Sequence, residues 1–295
     1  MGIFIGSNRL LEKLRKIREI IIDTKNELYP LENINNRVNG IESKIDIMMK
    51  DLDFLKSTII RKNQNEDFVF ESSICGIPLK FSDALTSFTV PGVLMEMKRS
   101  EYNFSEIDFK PGDCVIDIGA NVGIISIFLA KKYPFLKIYA YEPMKRNYEN
   151  FIKNISLNNI HPETIIVENK AVTKDERIIS MQFNPYNTGG SHVCDIIAAP
   201  NNLTNIETNI SSISLDNIFN KYNIKNCKLL KIDCEGAEYE ILYNTSIRNL
   251  HKISHLRGEF HEKKSIDSLS RADNLLQYVK NYIRDVDISI LKEFI

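Results

Sequence analysis

A short glycine-containing segment, Gly119-Ala120-Asn121-Val122-Gly123, follows directly after an apolar run that ends near Asp117. Gly119 and Gly123 permit a tight turn and let a ligand approach the backbone closely. A helix-forming run, residues 124–130, comes next, and the N-terminus of such a helix offers free amide donors to an anionic group. The segment therefore predicts a ligand site at a turn between a strand and a helix.

The middle position of this segment distinguishes between classes of nucleotide cofactor. A dinucleotide fingerprint requires a second glycine where the pyrophosphate presses on the backbone, and Asn121 stands there instead. Glu142 ends the next apolar run, about 20 residues further on, where an acidic side chain accepts both hydroxyls of a ribose. S-adenosylmethionine fits this nucleoside site without a pyrophosphate cradle, because its sulfonium and ammonium groups favour a nearby acid such as Asp117.

Further acidic side chains and a histidine stand at the ends of two later strand-like runs. Asp233 and Glu235 follow one run, and Glu259 and His261 end the other. The carboxyl ends of parallel strands share the edge of a sheet where such folds bind substrates. Strand alternation also puts Glu259 and His261 on one face. Three carboxylates and an imidazole are therefore expected to converge.

Methyl transfer to an alcohol would give this cluster a catalytic role. A base must remove the hydroxyl proton while the oxygen attacks the methyl carbon in line with the departing sulfur. His261 is the first candidate, because its intrinsic pKa is nearest to neutrality, and Asp233 serves instead if Glu235 raises its pKa. A purely structural hydrogen bond is the alternative role of His261. A divalent cation on Asp233, Glu259 and His261 is a further alternative, ranked below metal-free catalysis.

Six motifs in this part of the chain resemble the FkbM-type family of class I S-adenosylmethionine-dependent methyltransferases. They lie at residues 115–123, 141–143, 169–172, 214–216, 230–238 and 259–261. They follow the family's order between about residues 111 and 262, and the Asp-x-Glu-Gly-Ala-Glu segment from Asp233 to Glu238 is the most specific of them. The N-terminal helices lie outside the resemblance.

The resemblance implies a Rossmann-like α/β fold with a mostly parallel sheet and S-adenosylmethionine as the cofactor. The residues implied around the methionine half of the cofactor are Asp117, Gly119, Asn121 and Gly123. Asp233 is a further expected cofactor-binding residue. Glu142 is implied at the ribose, and those implied beside the adenine, mostly through backbone, are Asn169, Lys170 and Ala171.

The family's known acceptors set the functional expectation. The family methylates oxygens on small molecules, including sugars and polyketides, and sometimes nitrogen on protein side chains. O-methylation of a glycan or related hydroxylated metabolite is therefore the leading hypothesis. N-methylation of a protein side chain and a non-catalytic nucleotide-binding scaffold are the alternatives, and a dehydrogenase ranks third.

The elements that must position these residues alternate between strand and helix from residue 111 onward, which is typical of a parallel sheet. Strands are predicted at residues 114–117, 137–141, 165–168, 228–233 and 255–259. A connection at residues 172–214 is too long for an ordinary loop and is expected to shape the substrate site. A helix near 269–283 and a strand at 286–291 are too little for the usual antiparallel finish of the class I fold.

The N-terminal part of the chain has a different pattern. Residues 10–59 carry apolar side chains at alternating three- and four-residue steps, interrupted at Pro30. So narrow a stripe favours a coiled coil and predicts self-association, with folding back onto the same chain as the alternative. Two short apolar runs, residues 68–70 and 78–81, then predict a β-hairpin.

These patterns predict two parts in the chain. Residues 1–65 are a helical, coiled-coil segment, and residues 66–295 are a methyltransferase domain. Within that domain we predict a lead-in at 66–110, a cofactor-binding core at 111–262 with its insertion at 172–214, and a C-terminal helix and strand at 263–295.

Composition limits the remaining function classes. Lys and Arg total 38 against 39 Asp and Glu, and the formal net charge of -1 predicts no nucleic-acid partner. No apolar run approaches the ~20 residues of a membrane-spanning helix. Five scattered cysteines without metal-ligand spacing predict reduced thiols and a cytoplasmic location. The expected partner is a small-molecule or glycan acceptor.

Overall fold

The computed structural model describes residues 59–60, 67–84, 89–99, 102–184, 187–193, 206–262 and 271–292. The chain divides into two units, Met1–Ile60 and Arg61–Ile295. The coiled coil predicted over residues 10–59 lies outside the described residues except at its last position. There, Ile59 belongs to a short strand, Ile59–Ile60, where the apolar spacing predicts a helix. Self-association through this segment stays a prediction.

The described elements are numbered here in chain order. The strands are β1 (Ile59–Ile60), β2 (Asp67–Ile74), β3 (Ile77–Ala84), β4 (Cys114–Ile118), β5 (Lys137–Tyr141), β6 (Ile165–Glu168), β7 (Ala171–Thr173), β8 (Ile178–Asn184), β9 (Asn187–Val193), β10 (Ile206–Ser214), β11 (Cys227–Ile232), β12 (Ile253–Glu262) and β13 (Asp285–Lys292). The helices are α1 (Thr89–Lys98), α2 (Ile124–Lys132), α3 (Lys145–Leu157), α4 (Leu215–Lys221), α5 (Glu238–Asn244), α6 (Ile247–Leu250) and α7 (Ala272–Lys280).

The centre of the second unit is a six-stranded sheet in the order β13-β12-β11-β4-β5-β6. Every neighbouring pair in it is parallel. The predicted Rossmann-like α/β fold is therefore confirmed. The central strands β4 and β11 consist mostly of buried apolar residues, as expected for strands covered on both faces, and each also holds one buried charged residue, Asp117 in β4 and Lys231 in β11.

The C-terminal part of the sheet departs from the usual class I layout. Strand β12 runs on to Glu262, beyond the predicted end at residue 259, and so includes His261. Strand β13 pairs with it in parallel. Among the described residues no antiparallel strand joins this sheet.

The long connection between β6 and α4 is itself a sheet. Its strands lie in the order β7-β10-β8-β9, and β10 pairs in parallel with β7 but antiparallel with β8. Ala171, Val172 and Met181 of this small sheet are buried and reach the cavity described below. The connection therefore contributes apolar side chains to the wall of that cavity, and its role at the substrate site stays a prediction.

The predicted hairpin is present as β2 and β3, which pair antiparallel. Helix α3 holds it: the side chains of Asn154 and Asn158 accept hydrogen bonds from the backbone N–H groups of Ser82 (2.6 Å) and Lys80 (3.0 Å). The described cysteines, Cys75, Cys114, Cys227 and Cys234, are free thiols. Within the described part of the chain, no helix combines the length and apolar character that crossing a bilayer requires.

Candidate active site

A cavity of about 460 Å³ opens at the carboxyl edge of the six-stranded sheet. We call the part formed by Gly119, Asn121 and Glu142 the glycine-loop end. The part formed by Asp233, Glu235 and Glu259 is called the acidic end. The strand order places these two ends over different strands: β4 and β5 carry the first, and β11 and β12 carry the second.

The glycine segment makes the predicted strand, turn and helix. Gly119 has a φ of 72°, and a Cβ there would overlap the backbone oxygen of Asp233. Gly123 has a φ of 86°, and a Cβ there would overlap the ring of Phe151. Both glycines are therefore required by close packing, the first against the end of β11 and the second against α3. Gly123 itself does not line the cavity.

Glu142 is the best-anchored carboxylate on the cavity wall. It accepts hydrogen bonds from the backbone N–H groups of Asn121 (2.8 Å) and Met144 (2.9 Å) and from the side-chain amide of Asn147 (3.3 Å). Only 4% of the residue is exposed. Burial raises its pKa to about 7, and the Met144 and Asn121 donors oppose that rise. A ligand that donates further hydrogen bonds would stabilise the charged form.

The three residues implied beside an adenine have different surroundings. The Asn169 side chain donates to the backbone oxygens of Glu142 (2.9 Å) and Pro143 (2.8 Å), so it fastens the loop after β5. The Lys170 ammonium lies 3.5 Å from the carboxylate of Glu168. Of the three, Ala171 alone lines the cavity.

Asp117 lies inside the protein, away from the cavity wall. It is 1% exposed, and its Oδ2 accepts a hydrogen bond from the hydroxyl of Ser126 at 2.6 Å. Its Oδ1 lies 3.5 Å from the Nζ of Lys231. Asp117 therefore does not line the cavity, whereas Lys231, which its carboxylate contacts, does. The place beside the cofactor that the resemblance implies for Asp117 stays a prediction.

Lys231 is a wall residue that the sequence reasoning missed. Its ammonium donates to the backbone oxygen of Gly119 at 2.8 Å and lies 3.7 Å from the carboxylate of Asp233. Burial lowers the pKa of this lysine, but Asp117 and Asp233 outweigh burial and raise it. The available signal was a charged residue inside the apolar run of β11, since a buried lysine is rare unless it is paired.

The acidic end brings together the predicted carboxylates and the imidazole. Ligand atoms of Asp233, Glu259 and His261 all lie within 4.8 Å of one another. The Nε2 of His261 is 3.5 Å from Glu235 and 3.7 Å from Glu259. Glu235 has a φ of 53° and lies in the turn between β11 and α5.

His261 stands behind the cavity wall. Its side chain is 8% exposed, and its Nδ1 lies 3.1 Å from Oε1 of the fully buried Glu238. That oxygen also accepts the backbone N–H of Cys234 at 2.9 Å. Burial lowers the pKa of His261, but Glu238 and then Glu235 outweigh burial and raise it to about 9. The imidazole is therefore protonated at neutral pH, although a base must be neutral to accept a proton.

Glu259 lies on the wall and has a pKa close to neutrality. Burial, and then the charges of Asp233 and Glu96, raise the pKa of Glu259 to about 7. This carboxylate meets both requirements for a general base, access to the cavity and a pKa near the working pH. The carboxylates of Asp233 and Glu259 also suit a divalent cation by donor type, and His261 could join them as a nitrogen ligand once it gives up its proton.

Two further residues of the cavity wall come before the six-stranded sheet in the sequence and belong to no motif. Glu96 belongs to α1, and the hydroxyl of Tyr102 donates to it at 3.2 Å. Sequence patterns do not single them out, because nothing local relates α1 to the ends of β11 and β12.

Comparison with known proteins agrees with this arrangement. The profile of the methyltransferase FkbM domain matches residues 117–284, more than half of the chain. The chain belongs to the FkbM methyltransferase domain family. The residues matched include the glycine segment, Glu142 and the whole acidic end.

Individual relatives are distant. Methyltransferase 1 of Beauveria bassiana (strain ARSEF 2860) is 23% identical over 149 residues, which are 45% of this chain and 59% of that protein. The 31-O-demethyl-FK506 methyltransferase FkbM of Streptomyces tacrolimicus is 23% identical over 180 residues, 53% of this chain and 68% of that protein. The crystal structure of methyltransferase FkbM from Methylobacillus flagellatus KT aligns with 68% of this chain and 50% of that chain, at 13% identity and a TM-score of 0.38.

Proposed function

We propose that this protein transfers a methyl group from S-adenosylmethionine to a hydroxyl oxygen of a sugar, a glycan or a related small metabolite. The observation that carries the proposal is a single cavity with a hydrogen-bonded carboxylate, Glu142, at one end and a carboxylate of near-neutral pKa, Glu259, at the other. Strands β5 and β12 are three positions apart in the sheet, so their ends lie about 14 Å from each other. That span suits an adenosine at one end and a reacting group at the other.

The glycine-loop end fits the nucleoside half of this cofactor. The Glu142 carboxylate is held by three donors and accepts hydrogen bonds from ribose hydroxyls. Ala171, Val172 and Met181 offer an apolar wall to the adenine. With Asn121 at the middle position, the loop lacks the glycine that a pyrophosphate requires.

Asp233 belongs to both halves of the proposed site. It follows β11 directly, its backbone packs against Gly119, and its carboxylate faces the cavity. In that position it holds the cationic methionine part of the cofactor. Lys231 neutralises Asp117 and orients Asp233, so Asp117 supports the site without touching the ligand.

The acidic end supplies the base. S-adenosylmethionine contributes an electrophilic methyl carbon on a sulfonium leaving group. Glu259 accepts the hydroxyl proton as the acceptor oxygen bonds to that carbon, and the electron pair of the breaking carbon–sulfur bond stays on sulfur. The proton then resides on Glu259, and such general base catalysis contributes about 10²–10⁴-fold to the rate.

His261 is the alternative base. Its Nε2 lies 3.7 Å from Glu259, and Glu238 fixes the orientation of its ring. A cation bound nearby would lower the pKa of the imidazole from about 9, and the neutral ring could then accept a proton. Glu259 is favoured because it lines the cavity and His261 does not.

The test is a methyl-transfer assay with the full chain. Binding of S-adenosylhomocysteine is measured by calorimetry, and methyl-labelled S-adenosylmethionine is then incubated with neutral glycosides and other polyols. We expect S-adenosylhomocysteine to bind and label to appear on a hydroxyl oxygen, identified by mass spectrometry and NMR. Label on a protein side chain would favour N-methylation instead. Cofactor binding without turnover would favour a scaffold, and binding of NAD alone would favour a dehydrogenase.

A further inference from the structure

Helix α1 presents one stripe to the cavity and another to the protein interior. The stripe on the cavity wall is Thr89, Gly92, Val93 and Glu96. The interior stripe includes Val90, Leu94 and Met97, which are buried. Steps of three and four residues place each set on one face of a helix. Packing of the apolar stripe therefore fixes the rotation of α1 and holds the carboxylate of Glu96 over the cavity.

Tyr102 completes this part of the wall. Its ring stacks on Phe104 at 5.3 Å and 7°, it is 6% exposed, and its hydroxyl donates to Glu96 at 3.2 Å. Burial, followed by the charges of Asp233, Glu96 and Glu259, raises the pKa of Tyr102 above its usual range. Glu96, Asp233 and Glu259 line the same cavity as Tyr102, and their charges act on its hydroxyl, so we group the Glu96–Tyr102 pair with the acidic end.

Carboxylates outnumber cations at this end. Among the described residues of the wall, the one cationic side chain is Lys231, and it already contacts Asp117, Asp233 and the backbone oxygen of Gly119. The protonated His261 lies behind Glu235 and Glu259. An anionic group placed here would meet like charges at short range, which disfavours its binding.

We propose that the Glu96–Tyr102 pair recognises the methyl acceptor, selecting neutral acceptors with neighbouring hydroxyl groups and rejecting those that carry a carboxylate or phosphate. The inference rests on the proposed function, because the acceptor must place a hydroxyl beside Glu259. Glu96 accepts a hydrogen bond from one acceptor hydroxyl while Glu259 faces the neighbouring one. The Tyr102 hydroxyl keeps Glu96 in position.

Two probes that differ in a single group test this selection. Methyl glucopyranoside and methyl glucopyranosiduronate share their ring hydroxyls, but the second carries a carboxylate in place of the hydroxymethyl group. Their affinities are measured by ligand-observed NMR titration of the full chain, with and without S-adenosylhomocysteine. We expect the neutral probe to bind at least about fivefold more tightly than the anionic one, since like charges in an interface disfavour binding.

Three variants test whether Glu96 and Tyr102 cause this preference for the neutral probe. Glu96→Gln removes one repelling charge and is expected to reduce the preference for the neutral probe to less than about twofold. Tyr102→Phe keeps the stack on Phe104 but releases Glu96, so binding of the neutral probe weakens about threefold. Glu106→Gln is the matched control, because it removes the same charge from an exposed residue outside the cavity, and it should leave both affinities unchanged.

The outcomes separate this inference from the proposed function. If S-adenosylhomocysteine does not bind, the proposed function fails, while the probe ratio in the cofactor-free protein still tests the pair. If the wild-type protein binds both probes equally or binds neither, or if Glu96→Gln leaves the ratio unchanged, the inference is wrong. It is also wrong if EDTA abolishes binding of the neutral probe and Mg²⁺ restores it, because a cation on Asp233, Glu259 and His261 would then hold the hydroxyls.

Discussion

The two ends of the cavity differ in how their charged groups are satisfied. Glu142, at the glycine-loop end, accepts three hydrogen bonds of 3.3 Å or less from fixed donors. At the acidic end, the carboxylate of Glu259 lies 3.7 Å from the Nε2 of His261, which is longer than a hydrogen bond. The first end is preorganised for recognition. The second holds charge that a cationic cofactor and a reacting hydroxyl would balance, as expected for a reactive centre.

The largest expected effect comes from the backbone that joins the two ends. Gly119→Ala places a Cβ against the backbone oxygen of Asp233 at a φ of 72°. The glycine loop and the end of β11 must therefore move apart. We expect the free energy of unfolding to fall by about 2–4 kcal/mol. Binding of S-adenosylhomocysteine should be lost in calorimetry.

Gly76→Ala is the matched control for that prediction. Its φ is 76°, but no atom lies within 4 Å of the position that a Cβ would take. It should cost about 1 kcal/mol of backbone strain and leave cofactor binding intact. Equal losses in the two variants would mean that strain, rather than the contact with β11, explains the effect.

The second-largest effect is expected at Glu259, where a substitution should slow catalysis without weakening cofactor binding. Glu259→Gln removes the proposed base without removing a contact at the glycine-loop end, so the turnover number should fall about 10²–10⁴-fold. Affinity for S-adenosylhomocysteine should change less than about twofold, because its sulfur carries no charge to interact with Glu259. Steady-state kinetics and calorimetry measure the two quantities. Turnover that survives in Glu259→Gln but is lost in His261→Gln would transfer the role of base to the histidine.

The reverse pattern is expected at the glycine-loop end. Glu142→Ala leaves the donors of Asn121, Met144 and Asn147 without their acceptor, which costs about 1–3 kcal/mol and disturbs the ribose site. Affinity for S-adenosylhomocysteine should fall about 10–100-fold, because every 1.4 kcal/mol is a factor of ten. Turnover at saturating cofactor should stay within about threefold of the wild type. Glu149→Ala, an exposed residue of α3, is the control.

The smallest effect is a displacement of the pH profile. A base is active when deprotonated, so kcat/KM should rise with pH through about 7 if Glu259 is the base, and through about 9 if it is His261. The charge of His261 lowers the pKa of Glu259. In His261→Gln the rising limb should therefore move to higher pH. A wild-type limb centred near pH 9 would contradict the assignment to Glu259.

The glycine-loop end was predictable because its signals are local. A strand, a tight turn and a helix follow one another within residues 114–132, and Glu142 ends the next strand. Asn121 excludes a pyrophosphate by its identity alone. Convergence of Glu259 with His261 followed from strand alternation, and Asp233 joined them because parallel strands end at one edge.

The contacts of Asp117 required the register between strands. Lys231 stands directly opposite Asp117 in the pairing of β11 with β4, so the lysine reaches the carboxylate inside the sheet. The sequence shows a charged residue in each of two apolar runs. It does not show that they are partners, because strands far apart in the chain can pair in more than one register.

The sequence by itself determined the class of fold, the family, the position of the glycine loop and the carboxylates available for chemistry. These follow from short patterns whose geometry is set by bonds and backbone hydrogen bonds within a few residues. Tertiary structure alone decided that His261 lies behind the wall on Glu238, and that Glu96 and Tyr102 line the same cavity as Glu259. Those positions depend on which apolar faces pack together, and in the second case such packing joins residues more than 150 positions apart.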